Sequence, residues 1–394
     1  MQQASLKSPL EATNLGQINL VVIQATPFCN IDCDYCYLPD RSSKQTLSID
    51  LLEPIFRNLF SSPLLGDELT VCWHAGEPLS VPISFYESTF EKLSKVDTEF
   101  NLENCIVNHS IQTNATLLNQ RWCDLISEYK IQVGVSLDGP ALIHDSHRKT
   151  RSGLGTHASV MRGVQLLQKN NIDFHAIAVI TQDSLDYPDE IFQFFWENGI
   201  KEVGVNAEEI EGINRSSSLE KSGTIQRYAA FMHRLWELTK ATKGEFKLRE
   251  FERICPLIYT GEILDSTELT LPFSIITIDV NGNFSTYSPE LLTMPSAEYG
   301  GFLLGNVLRD TFDSVIATEH FQRIHQDIQT GVENCRSTCE YFSLCGGGSP
   351  SNKYSETGSF KSMETMHCRY TIKTLTDIIL NDVEAQIRNI STAR

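Results

Sequence analysis

The sequence lacks a long hydrophobic run, a secretion signal and an excess of basic residues. No stretch of about 18 consecutive apolar residues is present, which argues against a membrane-spanning helix. Residues 1–10 contain no continuous apolar region of the kind found in signal peptides. The 50 acidic residues exceed the 32 basic residues and give a net charge of −18, which disfavours nucleic acid as a partner. We therefore expect a cytoplasmic protein that binds neither nucleic acid nor a membrane.

The chain also lacks tandem repeats and low-complexity tracts, and its composition is that of a globular protein. A length of 394 residues suits two or three domains, and a hydrophobic content of 41% supplies a large core. Because no secretion signal accompanies the 11 cysteines, we expect reduced thiols and metal sites rather than disulfides.

Short apolar runs alternate with longer amphipathic segments between residues 19 and 240. The strand-like runs are 19–25, 69–73, 106–112, 132–137, 174–180 and 201–205. The helix-like segments are 48–60, 83–95, 118–130, 157–170, 187–198 and 223–241. Six strand–helix repeats predict an α/β fold, a partial (β/α)6 TIM-like barrel with a parallel sheet and right-handed crossovers. Ligand-binding residues of such sheets gather at the carboxyl ends of the strands.

The pattern changes after about residue 241. Helices are predicted at 247–260, 311–328 and 370–389. Two strands, 274–280 and 283–287, are joined by Asn281-Gly282, a pair that favours a type I′ hairpin turn. The Cys- and Gly-rich stretch 335–368 has few apolar runs and needs a metal to fold. We expect four parts: an N-terminal segment at 1–18, the barrel at 19–240, a Cys-rich extension at 241–370 and a C-terminal helix at 371–394.

Three cysteines, Cys29, Cys33 and Cys36, follow the first predicted strand within eight residues. Three thiolates can hold three irons of a four-iron cubane cluster. Because no fourth Cys or His lies close by, one iron would stay open for a small chelating ligand. One-electron cleavage of S-adenosylmethionine (SAM) requires this arrangement, in which the open iron binds the amino and carboxylate groups of methionine. The alternative, a zinc knuckle, prefers four ligands.

Polar segments follow the second and third predicted strands. In the segment 73–78, Gly76 allows a close backbone approach, and the carboxylate of Glu77 can accept a hydrogen bond from the methionine amine. In the segment 112–114, Gln112 and Asn114 supply amide groups. We expect these residues to contribute to a SAM pocket.

The segment 135–140 follows the fourth predicted strand and completes this set. Ser136 supplies a hydroxyl that could meet a ribose or a carboxylate. Arg148 and Arg151 lie just beyond it, and either guanidinium could hold the methionine carboxylate as a fork.

Together these motifs resemble the signature of the radical SAM superfamily. The C-x3-C-x2-C spacing, with Tyr35 before the last Cys, resembles its cluster motif. The three polar segments resemble the GGEP, QTNG and S-x-DGP segments of members that modify peptides. The resemblance implies a SAM-cleaving 4Fe–4S cluster and SAM, with Tyr35 among the residues that contact them. Ala75 and Ala115 each replace a Gly of these segments, and neither change removes a side-chain donor or acceptor.

A second set of cysteines lies near the C-terminus. Four Cys in one Gly-rich stretch can ligate an iron–sulfur cluster or a zinc ion, and the four are Cys335, Cys339, Cys345 and Cys368. The stretch resembles the SPASM extension of radical SAM peptide maturases, where four Cys hold an outer auxiliary 4Fe–4S cluster. A full SPASM domain carries a second, inner cluster, but Ser349 stands at the position of one inner ligand and the hairpin end 287–290 has no Cys. We therefore expect one SAM-cleaving cluster and one auxiliary 4Fe–4S cluster.

The chain most closely resembles the cyclophane-forming radical SAM/SPASM peptide maturases, the GrrM/OscB type. The residues that carry this resemblance are 205–212, 284–292 and 345–353. It implies a ribosomally made precursor peptide as substrate, in which an aromatic ring carbon becomes bonded to the β-carbon of a residue two positions later. Because this bond costs the substrate two hydrogens, an electron must leave, and the auxiliary cluster is the candidate acceptor. The resemblance also implies an electron-donor protein such as flavodoxin or ferredoxin.

Acidic residues supply candidate substrate contacts and bases. Glu208, Glu209 and Glu211 follow the sixth predicted strand, so we expect them to face the open mouth of the sheet and to hold Arg or Lys of the peptide. A solvated acidic loop is the alternative. Asp279 and Glu290 flank the hairpin and are candidate bases for the ring proton.

Other functions remain open at this stage. The same scaffold supports thioether formation and the formylglycine formation of sulfatase-maturing enzymes, although the missing inner-cluster ligands argue against the latter. A non-catalytic zinc-binding adaptor is an alternative from another class.

Overall fold

The computed structural model describes residues 14–392 of the chain. The β-strands in this part are β1 Ile18–Ile23, β2 Ile31–Cys33, β3 Leu65–Trp73, β4 Ile106–Thr113, β5 Gln132–Ser136, β6 Arg148–Thr150, β7 Phe174–Ile180, β8 Glu202–Ala207, β9 Lys247–Leu248, β10 Ile275–Ile278, β11 Asn283–Thr286 and β12 Gly305–Asn306. Ten of these strands form one sheet in the order β12-β11-β10-β1-β3-β4-β5-β7-β8-β9, and β2 pairs with β6 in a separate antiparallel sheet.

The α/β fold class is confirmed. The strands β1, β3, β4, β5, β7 and β8 are parallel neighbours in that order, and they overlap the six apolar runs of the sequence. On the other side of β1, β10 pairs in parallel with Leu20 opposite Ile275, so the sheet continues into residues that follow 240. The carboxyl ends of the parallel strands therefore lie along one edge, where ligand sites of such sheets form.

Helices connect the parallel strands and cover the sheet. The α-helices are Leu52–Phe60, Ile83–Phe100, Gln120–Glu128, Ala141–His147, His157–Lys169, Pro188–Glu197, Thr224–Ala241, Arg249–Thr260, Glu319–Thr338, Phe342–Cys345, Pro350–Thr357, Met366–Cys368 and Thr374–Thr392. The helix predicted at 311–328 was misplaced. It begins at Glu319 because the hydroxyl of Thr318 accepts a hydrogen bond from the Phe321 N–H, and it continues to Thr338, which places Cys335 in its last turn.

The predicted hairpin is present as β10 and β11, but its turn is not type I′. A type I′ turn needs positive φ at both central residues, whereas Gly282 has a φ of +78° and Asn281 is not among the residues with positive φ. The connection is fixed by Asp279, whose Oδ1 accepts hydrogen bonds from the N–H groups of Asn281 (2.8 Å) and Asn283 (2.9 Å). An Asp side chain that accepts a hydrogen bond from the backbone N–H two residues later forms an Asx turn.

The stretch 335–368 contains more regular structure than its composition indicated. Three short helices, Phe342–Cys345, Pro350–Thr357 and Met366–Cys368, lie within it. Three buried apolar residues, Val332, Cys335 and Phe342, form a small cluster at its start.

Aromatic packing fixes the helices that stand behind the site. Trp73 at the end of β3 packs edge-to-face on Tyr86 at 5.4 Å, and Tyr86 packs in the same way on Trp122 at 5.3 Å. Such pairs contribute about 0.5–1.5 kcal/mol beyond the area that they bury. No helix in the described part of the chain combines the length and the apolar character needed to cross a membrane.

Candidate active site

Two arginines hold the loop that carries Cys29, Cys33 and Cys36 at the carboxyl end of β1. Arg151 donates from Nε to the Cys29 carbonyl (2.9 Å) and from Nη2 to the Arg41 carbonyl. Arg41 in turn donates from Nη1 to the Cys33 carbonyl (3.2 Å). The guanidinium of Arg151 is therefore engaged by the backbone of the loop, which disfavours it as the partner of a methionine carboxylate.

Gly76 lets the chain after β3 pass directly against this loop. Its φ is +117°, and a Cβ at this position would lie 2.0 Å from the carbonyl oxygen of Thr26. The neighbouring N–H of Glu77 donates to the Phe28 carbonyl at 2.7 Å. Only glycine allows this approach, as expected from the sequence.

The two alanines that replace glycines of the family segments keep a glycine-like backbone. Ala75 has a φ of +67° and Ala115 a φ of +58°. The left-handed region costs an L-residue roughly 1–2 kcal/mol, so the surrounding contacts hold both residues in a strained conformation.

A buried network around Asp138, a residue to which the sequence pattern gave no separate role, organises the site. Asp138 is 0% exposed and forms a two-point ion pair with Arg148, with Nε–Oδ2 at 2.9 Å and Nη2–Oδ1 at 3.0 Å. It also accepts hydrogen bonds from the Tyr35 hydroxyl (2.5 Å) and the Val179 N–H (2.9 Å). Burial raises the pKa of Asp138, but the Arg148 guanidinium outweighs burial and holds that pKa below its usual range.

The position of Arg148 differs from the expected one. Its fork is engaged by Asp138, so it is not free for the methionine carboxylate. Nη1 lies 3.9 Å from the Cys33 sulfur, and the guanidinium stands 5.4 Å from the centre of the Tyr35 ring. Cys33 therefore lies beside the guanidinium of Arg148, which in turn packs near the ring of Tyr35. The sequence signal that could have identified Asp138 was the Asp-Gly-Pro segment after a predicted strand, together with Arg148 further along the chain.

Glu77 lies at the same edge of the sheet and has donors within the chain. Its side chain is 1% exposed and accepts hydrogen bonds from the N–H groups of Leu79 (2.9 Å) and Asn114 (2.8 Å) and from the Thr113 hydroxyl (2.6 Å). Burial raises the pKa of Glu77 to about 7, against the effect of these donors. The carboxylate therefore connects the segment after β3 to the end of β4.

The remaining pocket residues lie close to one another at the strand ends. Nε2 of Gln112 donates to the Ser136 hydroxyl at 3.0 Å, which links β4 to β5. Nδ2 of Asn114 donates to Oδ1 of Asn30 (2.9 Å) and lies 3.8 Å from the Cys29 sulfur. The structure thus brings Gln112, Ser136 and Asn114 to the same edge as the cysteine loop.

The residues present fit an anionic iron–sulfur cluster at this loop. Burial raises the pKa of Cys29 to about 11 and that of Cys33 to about 12. A thiol must lose its proton to bind a metal, so metal binding has to supply that free energy. The Asn114 amide beside Cys29 and the Arg148 cation beside Cys33 are the groups that stabilise charged sulfur.

The four C-terminal cysteines line one cavity of about 970 Å³. Cys335 lies in the last turn of the helix Glu319–Thr338 with Cys339 directly after that helix, while Cys345 and Cys368 each end a short helix. Next to Cys345, Gly346, Gly347 and Gly348 all have positive φ, and a Cβ on Gly347 would lie 2.9 Å from the Val332 side chain. This backbone turns the N–H groups of Gly347 and Gly348 toward the Cys345 sulfur, where they oppose the increase in its pKa that burial causes.

Within residues 14–392, no group of three or more His, Cys, Asp or Glu side chains is arranged to hold a single metal ion. Four thiols can ligate an iron–sulfur cluster or a zinc ion.

Residues with hydroxyl groups stand at the positions where a full SPASM domain would have the Cys ligands of its inner cluster. Ser349 shares a hydrogen bond with Ser351 (3.0 Å), and Ser288 donates to Ser351 (3.1 Å). Tyr287 is 1% exposed and its hydroxyl bonds Nδ1 of His325 at 2.7 Å. The hairpin end is therefore joined to the helix Pro350–Thr357 by direct side-chain contacts.

The three acidic residues after β8 have different partners in the structure. The carboxylate of Glu208 accepts hydrogen bonds from the Ser218 N–H (2.7 Å) and from the Ser217 and Ser218 hydroxyls, so it fixes a local turn. Glu209 forms an ion pair with Nδ1 of His367 at 3.0 Å. Glu211 is 2% exposed, and its Oε1 has no hydrogen-bond partner in the described part of the chain.

Glu290 lies in the same buried cluster as Glu209 and Glu211. Its Oε2 accepts a hydrogen bond from the Ser288 hydroxyl, and Tyr37 of the cysteine loop is a further hydrogen-bond partner. Burial and the neighbouring carboxylates raise the pKa of Glu211 well above its usual value, and burial also raises that of Glu290. Asp279 differs, because its Oδ2 also bonds within the hairpin turn, to Nδ2 of Asn283 at 2.9 Å.

The chain is similar to proteins of one superfamily. The model of the Radical SAM superfamily matches residues 23–195. An uncharacterized protein of Synechocystis sp. is 51% identical over 378 residues, which cover 96% of this chain and 95% of that protein. The serine-type anaerobic sulfatase-maturating enzyme of Bacteroides thetaiotaomicron is 28% identical over 355 residues, which cover 84% of this chain and 81% of the enzyme.

Solved structures show the same fold. Native anSMEcpe with bound AdoMet and Cp18Cys peptide has a TM-score of 0.75 at 22% identity, with 95% of this chain and 99% of that chain covered. Streptococcus suis SuiB bound to precursor peptide SuiA has a TM-score of 0.62 at 16% identity, with 91% and 78% covered.

Proposed function

We propose, from the premise that this chain belongs to the radical SAM superfamily, that it is an enzyme that matures a ribosomally made precursor peptide. The finer proposal is that it joins an aromatic ring carbon to the β-carbon of a second residue, as in the cyclophane-forming type. Relatives named as sulfatase-maturating enzymes and a fold shared with peptide-bound SuiB support a peptide substrate. Superfamily membership does not fit a non-catalytic zinc-binding adaptor.

The end of the hairpin supports the proposal of a crosslink of the cyclophane-forming type. At the positions where a second auxiliary cluster would need Cys, the chain has Ser349 and Tyr287-Ser288, and these side chains pack against their neighbours. The enzyme would therefore work with one SAM-cleaving cluster and one auxiliary cluster.

The residues described above fit both groups. Cys29, Cys33 and Cys36 would hold the SAM-cleaving cluster, and the four C-terminal cysteines would hold the auxiliary one. When bound, the first cluster and SAM supply a 5′-deoxyadenosyl radical that takes a hydrogen atom from a substrate carbon, and the auxiliary cluster supplies an electron acceptor. An electron-donor protein such as flavodoxin or ferredoxin would provide the reducing electron.

The acidic cluster is the proposed contact surface for the peptide. Glu208 and Glu209 have partners within the chain, and the carboxyl group of Glu211 also contacts Ser351 and Glu209. Because Oε1 of Glu211 is buried without a hydrogen-bond partner among the described residues, Glu211 is the carboxylate that we propose for a Lys or Arg of the substrate. Glu290 is the proposed base for the ring proton, because its buried carboxylate has a raised pKa and so an increased tendency to take up a proton. Asp279 is bonded within its turn and is the weaker candidate.

Formylglycine formation is the second candidate, favoured by the curated relatives that carry this activity in their names. A serine-to-formylglycine change and a crosslink both remove two hydrogens, so peptide mass alone does not separate them. An aldehyde reacts with hydrazine reagents, whereas a crosslink suppresses backbone fragments between the joined residues.

Co-expression with a candidate precursor peptide tests the proposed function. We expect a peptide that has lost two hydrogens, gives no hydrazone, and lacks fragment ions between an aromatic residue and the residue two positions later. A product that forms a hydrazone would support formylglycine formation. A product that consumes a Cys thiol, detected by lost reactivity with iodoacetamide, would support thioether formation.

Replacing Glu211 with Gln should weaken peptide binding about tenfold or more, because a charge pair in a buried site is lost. Binding is measured by anisotropy of a labelled peptide, and uncoupled SAM cleavage should stay unchanged. Glu208→Gln is the matched control, since its carboxylate fixes a turn and should leave affinity unaltered. Equal affinities of the two variants would remove Glu211 as a substrate contact.

A further inference from the structure

Lys353 is a buried cation that forms no ion pair with an acidic residue in the described part of the chain. Its side chain lies in the helix Pro350–Thr357 and is 3% exposed. Nζ donates to the Gly331 carbonyl at 3.0 Å and to the Cys335 sulfur at 3.3 Å. Among the described residues, no Asp or Glu forms an ion pair with it. Burying an ammonium group without a counter-charge costs several kcal/mol of folding free energy. We therefore expect an anion to be bound next to Lys353.

The cavity beside Lys353 supplies that anion once its thiols bind metal. Four thiolates around a 4Fe–4S core leave the group negatively charged, and one of those thiolates belongs to Cys335, which Lys353 contacts. A neutral cavity of four protonated thiols would leave the ammonium without compensation. The chain therefore places one fixed positive charge directly against the metal-binding sulfur atoms.

Two other cations line the cavity in different surroundings. The side chain of Lys373 is 28% exposed and forms an ion pair with Glu364 at 2.7 Å. Arg253 also lines the cavity and has Cys345 among its charged neighbours. Solvent screens exposed charges strongly and buried charges much less, so the charge of Lys353 is screened less than that of Lys373.

We propose that Lys353 is a positioning residue that stabilises the reduced auxiliary cluster and thereby raises its reduction potential. Reduction adds one electron and one further negative charge, and a hydrogen-bonded cation beside a ligand sulfur favours that state. A higher potential makes the group a better acceptor for the electron that leaves the substrate. Lys353 acts in this way only if the auxiliary cluster is bound, so the role depends on the proposed function.

The test measures the midpoint potential of the auxiliary cluster by EPR-monitored dye titration. The full-length chain carries Ala at Cys29, Cys33 and Cys36, so that one cluster contributes the signal. In Lys353→Met, reduction should become about tenfold less favourable, a shift of about 59 mV to lower potential. Lys353→Arg should stay near the parent value, and Lys373→Met should shift less than Lys353→Met.

Every outcome bears on the role of this charge. An unchanged potential in Lys353→Met, or an equal shift in Lys373→Met, would overturn it. If Lys353→Met and Lys353→Gln fail to bind iron while Lys353→Arg binds it, charge compensation is supported; loss of iron in all three would indicate packing instead and refute the proposal. The titration contains no peptide, so its result does not depend on whether the protein modifies a precursor peptide. A refuted maturase function would leave the role of Lys353 standing, and a refuted role of Lys353 would leave the maturase function standing.

Discussion

Replacing Cys33 with Ala should abolish SAM cleavage, whereas replacing Cys345 and Cys368 together should abolish only the peptide product. Cys33 stands on the loop beside Arg148 and Asp138, and its loss leaves two thiols where the proposed cluster needs three. Cys345 and Cys368 line the separate cavity at the other set of thiols. The two groups of cysteines should therefore control two different products.

The measurement follows 5′-deoxyadenosine by chromatography and the peptide by mass spectrometry in the same reaction. Cys33→Ala should reduce both to background. The Cys345→Ala/Cys368→Ala variant should still form 5′-deoxyadenosine with a reductant but yield no crosslink. Cys255→Ala is the control, because Cys255 lies in the helix Arg249–Thr260 and outside both sets. Normal crosslink yield in the double variant would exclude an electron-accepting role for the C-terminal thiols.

Much of the fold was accessible from the sequence because local signals agree with the tertiary structure. Most of the six parallel strands are short, mainly apolar runs between turn residues, and buried parallel strands favour that composition. The strand β4 is the exception, because polar side chains alternate with Ile106, Val107 and Ile111 in it. The cysteine loop was located correctly for the same reason, since it follows β1 directly in the chain. The start of the helix at Glu319 was missed because Thr318 caps a helix whose preceding residues also have a helical pattern.

The partners of the charged side chains could not be predicted from position in the sequence. Glu77 and Arg148 were both assigned to SAM because each follows a strand end with the right charge. In the structure, Thr113 and Asn114 satisfy Glu77, and Asp138 satisfies Arg148. A buried charge pairs with a complementary group close to it. Which group is close depends on the order and register of several strands in the sheet.

The same limit applies to the acidic residues after β8. Three carboxylates within four positions looked equivalent in the sequence, but each has a different environment. Ser217 and Ser218 contact Glu208, and His367 contacts Glu209. One buried oxygen of Glu211 has no hydrogen-bond partner among residues 14–392. His367 lies more than 150 residues away in the chain, so no local pattern could have assigned this pair.

Replacing Gly76 with Ala should prevent assembly of the N-terminal cluster and destabilise the fold. The new Cβ would lie 2.0 Å from the Thr26 carbonyl oxygen and 3.0 Å from the Pro27 carbonyl carbon. Both contacts are backbone atoms of the segment that leads into Cys29, so the loop itself has to move. We expect loss of iron at the three N-terminal thiols and a decrease of several kcal/mol in the free energy of unfolding.

Gly153→Ala separates this steric effect from backbone strain. Gly153 also has a positive φ, +86°, but a Cβ there would meet no atom within 4 Å. Strain alone should cost that variant roughly 1–2 kcal/mol and leave iron binding and SAM cleavage intact. Iron content per chain and denaturant unfolding measure the two effects. If both variants lost iron to the same extent, the close approach of Gly76 to the cysteine loop would not be what holds the three thiols in position.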